Sequence, residues 1–154
     1  MTFIPPTGSK ESISQGFILP HRSAIHQIGI YIPNANSVVE KIRLSIYRDL
    51  GGVPEFQGEV AEYFSEIIPV SGWNNVVFES PTKQLNPYQM YHLVARPGLS
   101  AASDFTVFVK RYDGDQYSSG RMSSDTSTLF SNAAFITTYT NYDMFFKIYA
   151  EKVD

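Results

Sequence analysis

The stretch KIRLSIYR at residues 41–48 decides the fold class, because its apolar and polar side chains alternate strictly. Successive side chains of a β-strand point to opposite faces of the sheet. Ile42, Leu44 and Ile46 are therefore predicted to face a core, and the residues between them to face away from it. The sequence LGGVP that follows at residues 50–54 is a strong turn signal. We predict a β-strand that ends in a turn near residue 51.

Similar short stretches recur on both sides of this strand, separated by Gly, Pro, Asn and Ser. Residues 59–68 fit either helix or strand, and their sheet-like flanks favour strand. No segment shows a helical period over about 12 residues, so we predict an all-β, antiparallel β-sandwich or barrel of eight or nine strands. It forms one domain at residues 14–154, preceded by an extended N-terminal arm at residues 1–13. The other predicted strands cover residues 14–19, 25–32, 73–79, 88–96, 105–112, 135–139 and 144–150.

The composition is that of one globular domain and excludes several classes of function. The chain has 154 residues, of which 43% are hydrophobic and 18% charged. Twelve basic and fifteen acidic residues give a net charge of −3, so nucleic acid is not an expected partner. The absence of cysteine excludes disulfides, cysteine-ligated zinc, iron–sulfur clusters and thiol catalysis.

The N-terminal sequence MTFIPPTGSK lacks the basic and apolar regions of a secretory signal. No window approaches 18 uninterrupted apolar residues, so we predict no membrane-spanning segment and no membrane partner.

Five short motifs, taken together in their order along the chain, resemble jelly-roll β-sandwich modules. Such modules occur in cell-surface proteins, in carbohydrate-binding accessory domains and in bacteriophage virion proteins. The resemblance covers residues 14–150 and implies a jelly-roll fold, but its motifs are patterns of strands and turns and carry no chemistry. The motifs are QGFILP at residues 15–20, IYRD at 46–49, GWNNVVF at 72–78, YHLV at 91–94 and DMFFKIY at 143–149.

Metal binding has weak support in the sequence. The three histidines, His21, His26 and His92, lack metal-ligand spacing and are interpreted as solvated or hydrogen-bonded. Asp113 and Asp115 flank a glycine, and hard cations such as calcium prefer clusters of oxygen ligands. The resembling jelly-roll modules sometimes carry a structural calcium. A two-residue hairpin turn at Asp-Gly is the favoured interpretation, and no other cofactor is predicted.

The sequence carries no pattern of catalytic residues that would identify an enzyme. It contains no nucleophile elbow of the form G-x-S-x-G and no phosphate-binding loop. Fifteen acidic residues give many accidental carboxylate pairs, and none stands out as a glycosidase site. We therefore predict a non-enzymatic protein.

Recognition is predicted to involve aromatic side chains, which combine a flat apolar face with a polar group. Trp73 follows a Ser-Gly turn and is either a core residue, as is usual in the resembling modules, or an exposed platform. The polar stretch at residues 113–132 is read as a long loop, a kind of segment that is often functional. The residues predicted to bind a ligand or partner are Tyr112, Tyr117, Tyr139 and Tyr142, which flank or lie in this stretch, and Arg121, its only cation.

The N-terminal arm is the second candidate for recognition. Phe3 and Ile4 precede Pro5 and Pro6, so two apolar side chains lie on an extended segment. We expect them to dock on a neighbouring subunit of an assembly.

These features favour a structural protein of a virus particle, most naturally a bacteriophage capsid decoration or tail-associated protein located in the virion. Its partners would be other virion proteins and copies of itself, with a trimer favoured. The alternative is a carbohydrate-binding, lectin-like module that binds glycans outside the cell or at a cell surface. An unassigned enzyme or regulatory domain is a third hypothesis.

Overall fold

The computed structural model describes residues 2–4, 12–35, 40–82, 84–98, 107–109, 111–113, 122–125, 137–139 and 142–153. Every regular element in these ranges is a β-strand. The described ranges contain no helix long and apolar enough to cross a membrane. The predicted all-β class is therefore confirmed.

Thirteen strands are present in the described residues. They are β1 (Thr2–Ile4), β2 (Ser12–Ile18), β3 (Ser23–Ile32), β4 (Ile42–Leu50), β5 (Val53–Ile67), β6 (Gly72–Val77), β7 (Met90–Pro97), β8 (Val107–Val109), β9 (Arg111–Asp113), β10 (Met122–Asp125), β11 (Thr137–Tyr139), β12 (Tyr142–Met144) and β13 (Phe146–Lys152).

Two antiparallel sheets make up the body of the sandwich. The larger sheet has six strands in the order β11-β10-β2-β7-β4-β5, and the smaller has three in the order β13-β3-β6. Together they hold nine strands, as the sequence predicts for a β-sandwich. Two further pairs, β1 with β8 and β12 with β9, are also antiparallel.

One hydrophobic core lies between the two sheets. The large sheet contributes the inward side chains of β2, β4 and β7, among them Phe17, Leu44 and Leu93. The small sheet contributes the isoleucines of β3 and Val76 of β6. Ile42, Leu44 and Ile46 are fully buried in this core, which confirms the predicted alternation.

Outward side chains of β4 and β7 in the large sheet are buried as well, which the alternation did not predict. Ser45 and Tyr47 on β4 and Val94 on β7 have at most 1% of their surface exposed. Arg43, on the same face, is 7% exposed. The residues between the core positions of β4 therefore point away from the core, as predicted, but not into solvent.

The turn predicted near residue 51 is a two-residue hairpin between β4 and β5. Leu50 pairs with Val53, and the two glycines between them have φ values of +63° and +94°. Positive φ at both central residues is required by the turn that matches strand twist. Strand β5 then continues to Ile67, so residues 59–67 of the ambiguous segment are extended. Its second residue, Pro54, is tolerated because β5 is an edge strand.

The polar stretch at residues 113–132 is not one long loop, and that prediction is wrong for residues 122–125. These residues form β10, which pairs with β2 on one side and with β11 on the other. Their sequence, MSSD, has no apolar alternation to reveal a strand. The segment is a strand because backbone hydrogen bonds to two neighbouring strands hold it extended, and the local sequence does not predict this pairing.

Candidate functional site

The outward face of the small sheet presents a surface of aromatic and amide side chains. The register places Tyr31 of β3 opposite Trp73 of β6, and Gln27 opposite Val77. On the other side of β3, Lys147 and Tyr149 of β13 lie opposite Gly29 and Gln27. Side chains at these positions share one face because they alternate with the core isoleucines. We call this surface the aromatic face; its residues are Gln27, Gly29, Tyr31, Trp73, Asn75, Val77, Phe145, Lys147 and Tyr149.

Three aromatic rings run across the strands at one end of this face. The ring centroids of Tyr31 and Trp73 are 5.5 Å apart with an interplanar angle of 81°, an edge-to-face contact. The centroids of Tyr31 and Phe145 are 6.2 Å apart at 56°. The backbone N–H of Tyr31 also donates to the carbonyl oxygen of Phe145 at 3.2 Å. All three residues are half-buried, so each ring keeps part of its surface in solvent.

Lys147 joins this row from the far strand of the sheet. Its Nζ lies 3.9 Å from the centroid of the Trp73 ring, a cation–π contact. Strand β3 runs between the two residues, and the position that Lys147 faces is Gly29. Because Gly29 has no side chain, the lysine stem can pass over the strand to reach the indole.

Asn75 occupies the space beside Gly29 on the other side. A Cβ atom added to Gly29 would lie 2.5 Å from Asn75 Oδ1, so a larger residue would force the amide to move. Asn75 is exposed and faces Gly29 directly in the register. The centre of the aromatic face is therefore a shallow position bordered by an amide and an ammonium group.

The position of Trp73 is fixed by its neighbour in sequence, Asn74. The buried Asn74 side chain accepts a hydrogen bond from Val70 N at 2.8 Å through Oδ1. Its Nδ2 donates to the carbonyl oxygens of Val70 at 2.8 Å and Gly72 at 3.1 Å. Since Asn74 points inward to make these bonds, Trp73 must point outward. Trp73 is thus half-buried on the outward face and is not part of the core between the sheets, whereas a role as an exposed platform stays a prediction.

The other end of the face is the most exposed. Val77 has 66% and Tyr149 37% of its surface in solvent, and both flank Gln27. Apolar and aromatic surface beside amide groups is the combination found in binding surfaces for ligands with both apolar and polar groups.

A second polar feature lies on the outward face of the large sheet. His92 is fully buried, and its Nε2 is 2.7 Å from Asp49 Oδ1. Asp49 Oδ1 also accepts a hydrogen bond from Gly52 N at 3.0 Å. Burial lowers the pKa of His92 below its ordinary value of 6.5 and outweighs the hydrogen bond and charge of Asp49, which raise it. A neutral imidazole that donates from Nε2 to the carboxylate fits this arrangement.

The His92–Asp49 pair is best explained as a structural hydrogen bond that joins β7 to the end of β4. Nδ1 of His92 is buried and finds no hydrogen-bond partner within the described part of the chain. General base catalysis needs a group within reach of a substrate proton, and a fully buried ring offers no such access. The hydrogen-bonded interpretation of this histidine is correct, while His21 and His26 are exposed.

Tyr88 is an exposed aromatic residue outside the aromatic face. It has 77% of its surface in solvent and a φ of +59°, the left-handed region that non-glycine residues seldom adopt. Its backbone N–H donates to the carbonyl oxygen of Leu19 at 2.9 Å, which holds the loop against the end of β2.

Tyr112, Tyr139 and Tyr142 lie on strands that the register does not pair with those of the aromatic face, and their predicted binding role stays a prediction. Tyr112 of β9 pairs with Asp143, and Tyr142 of β12 pairs with Asp113. Tyr139 of β11 pairs with Met122 of β10, at the edge of the large sheet. Tyr117 and Arg121 lie outside the described residues, so their predicted binding role stays a prediction.

The predicted calcium site and arm are only partly within the described ranges. Asp113 ends β9, whereas Asp115 lies outside. No group of three or more His, Cys, Asp or Glu side chains that could hold a metal ion occurs among the described residues. Phe3 and Ile4 belong to β1 and pair with Phe108 and Val107 of the same chain. Pro5 and Pro6 lie outside the described residues, and docking of the arm on another subunit stays a prediction.

The fold of this chain is similar to that of a solved structure. The chain is similar to the crystal structure of the cysteine protease and lectin-like domains of Cwp84, a surface layer associated protein of Clostridium difficile. The TM-score is 0.61 at 12% sequence identity, and the match covers 94% of this chain but 33% of that one. No protein-family model matches the chain, and no curated protein matches it in sequence. At this level of identity the likeness establishes a shared fold.

Proposed function

We propose that this chain is a non-catalytic carbohydrate-binding module that acts outside the cell or at a cell surface, with the aromatic face as its binding surface. The observation that carries the proposal is the row of Phe145, Tyr31 and Trp73, which the small sheet holds at its outward face. A patch of partly exposed aromatic side chains is a common mark of an interaction site.

The chemistry of the aromatic face suits a sugar. A pyranose ring has an apolar face of C–H groups and a rim of hydroxyls. The half-buried rings of Tyr31 and Phe145 offer apolar surface for the C–H groups, and Trp73 adds to it on the side of its indole that Lys147 does not cover. The amides of Asn75 and Gln27 supply both donors and acceptors for the hydroxyls. Because these groups stand on paired strands, their spacing is set before the ligand arrives, which lowers the entropic cost of binding.

The fold likeness supports the same proposal. The similar chain contains a cysteine protease domain and a lectin-like domain, and this chain matches 33% of its length. This chain has no cysteine, so it lacks the nucleophile of a cysteine protease. An all-β sandwich without that nucleophile corresponds best to the lectin-like part. The surface-layer association of the similar protein is the support for an extracellular or cell-surface location.

The likeness thus favours the carbohydrate-binding alternative over the virion role that the sequence placed first. A bacteriophage decoration or tail protein, and the trimer expected with it, stay predictions. The mass of the purified chain by light scattering tests the trimer directly: a monomer contradicts it.

The proposed function is tested with a glycan array followed by calorimetric titration of the best glycan. The variants Trp73→Ala and Tyr149→Ala remove aromatic surface from the two ends of the aromatic face, and each is expected to weaken binding at least tenfold. Tyr88→Ala is the matched control, because it removes an exposed tyrosine from another surface. Thermal melting verifies that each variant is folded. Binding that survives both face variants, or no glycan binding at all, overturns the proposal.

A further inference from the structure

The aromatic face carries one cation whose charge is not neutralised by a neighbour. Lys147 is half-buried, and no carboxylate of the described residues lies within 4.0 Å of its ammonium group. The side chains that surround it on the face, those of Tyr31, Trp73 and Asn75, are all neutral. Glu151 shares the outward side of β13, but it lies opposite Ala24, beyond the Tyr149–Gln27 pair.

The ammonium group is also held in place. Its stem crosses Gly29, and its Nζ rests 3.9 Å from the centroid of the Trp73 ring. An ammonium group has three N–H donors, and the indole face can engage only one side of it. The lysine therefore presents donors to solvent directly beside the aromatic surface proposed to hold a sugar ring.

We propose that the ligand of the aromatic face is an acidic glycan, whose carboxylate or sulfate group accepts a hydrogen bond from Lys147 while the sugar ring packs on the aromatic row. This inference rests on the proposed function and specifies its substrate class. The chain as a whole has a net charge of −3, so general attraction of polyanions does not explain such a preference. Selectivity would come from this one positioned charge.

The expected preference is moderate, because the pair forms at a surface. Exposed ion pairs contribute little, whereas hydrogen bonds to charged groups are stronger than neutral ones. We expect the acidic glycan to bind about two- to five-fold more tightly than its neutral counterpart, in line with a single partly screened ion pair. The preference should shrink as salt rises from 50 to 500 mM, since the Debye length falls from roughly 14 Å to roughly 4 Å over this range.

The experiment uses pairs of glycans that differ in charge alone. Oligosaccharides with uronic acid are printed beside their methyl esters, and sulfated oligosaccharides beside their unsulfated forms, so that the two arms distinguish carboxylate from sulfate. Three proteins are compared: the unmodified chain, Lys147→Met, which keeps an apolar stem over Gly29, and Lys147→Arg, which keeps the charge.

The unmodified chain and Lys147→Arg are expected to prefer the acidic member of a pair, and Lys147→Met to bind both members equally. Retained binding of neutral glycans by Lys147→Met would show that the face itself is intact. Equal binding of both members by the unmodified chain overturns the acidic preference and leaves the proposed function standing. Binding to no glycan in either arm overturns both. An unchanged preference in Lys147→Met also overturns this inference, because a group other than Lys147 would then bind the acidic group of the glycan.

Discussion

His92 Nε2 and Asp49 Oδ1 lie 2.7 Å apart, and this contact joins the middle of the large sheet to the hairpin at its edge. His92 is on β7, whereas Asp49 is the last residue but one of β4 and also accepts from Gly52 N at 3.0 Å. One carboxylate oxygen thus holds both the buried imidazole and the turn. The arrangement makes the stability of the hairpin depend on the protonation of His92.

The first prediction concerns pH. Burial lowers the pKa of His92 in the folded state below 6.5, so the unfolded chain binds a proton more readily than the folded one. The contribution of His92 to stability is therefore complete above pH 6.5 and is lost as pH falls through the folded pKa. In urea unfolding at pH 5, 6, 7 and 8, the free energy of unfolding should fall as the pH falls. This fall should be smaller in His92→Gln. His26→Gln, at an exposed site, is the control; an equal loss in His92→Gln would contradict the prediction.

The second prediction concerns Asp49. Asp49→Ala leaves both Gly52 N and the buried His92 Nε2 without their acceptor, so it should lower the free energy of unfolding by about 1–3 kcal/mol. The neighbouring Arg48→Ala is the control. Arg48 Nε is 3.9 Å from Glu55 Oε2, and its side chain is 56% exposed, so the loss of that surface pair should cost less than about 1 kcal/mol. Equal losses of unfolding free energy in the two variants would contradict the prediction that the His92–Asp49 pair contributes more than a surface ion pair.

The third prediction concerns Asn74, which fixes the outward direction of Trp73. Asn74→Ala removes three hydrogen bonds to Val70 and Gly72 and should lower the free energy of unfolding by about 1–3 kcal/mol. Asn74→Asp keeps the acceptor for Val70 N but loses the donors, so it should still be destabilised. Intrinsic fluorescence reports on Trp73, the single tryptophan of the chain. An unchanged emission maximum in the folded Asn74→Ala variant would contradict the positioning role.

The fourth prediction concerns the backbone at Tyr88. At a φ of +59°, a residue with a Cβ is about 1–2 kcal/mol less stable than glycine. Tyr88→Gly should therefore be more stable than Tyr88→Ala by about 1 kcal/mol, since both variants lose the same exposed ring. Thermal denaturation of the two variants measures this difference. Equal melting temperatures would show that the loop relaxes to another conformation.

The sequence was sufficient for the fold because alternation is a local signal. Ile42, Leu44 and Ile46 follow one another at intervals of two residues, so the pattern is visible within one short segment, and the structure buries all three. The glycine pair at residues 51 and 52 marks its turn for an equally local reason. Strand β10 escaped prediction because its polar sequence is extended by pairing with β2 and β11, which are distant along the chain.

The aromatic face was harder to predict because it is assembled across strands. Trp73, Tyr31 and Lys147 are separated by 42 or more residues, and only the register brings them together. One signal was present locally. The core residues Val76 of β6 and Phe78 directly after it alternate with the exposed Val77, and extending that alternation back places Asn74 inward and Trp73 outward. The resemblance to jelly-roll modules, in which this tryptophan is usually a packing residue, argued for the opposite, and the three hydrogen bonds of the buried Asn74 side chain decide its direction.

The unequal burial of the two sheets has a consequence for how this protein can evolve. At β4 of the large sheet both faces are enclosed, as the burial of Leu44 and of its neighbour Ser45 shows. Most substitutions there must be tolerated by two packed layers at once. On the small sheet, the outward positions of β3, β6 and β13 can change side chains while the isoleucines beneath them remain. Apart from Gly29, whose added Cβ would meet Asn75, these positions can therefore change with little cost to the ability of the chain to fold.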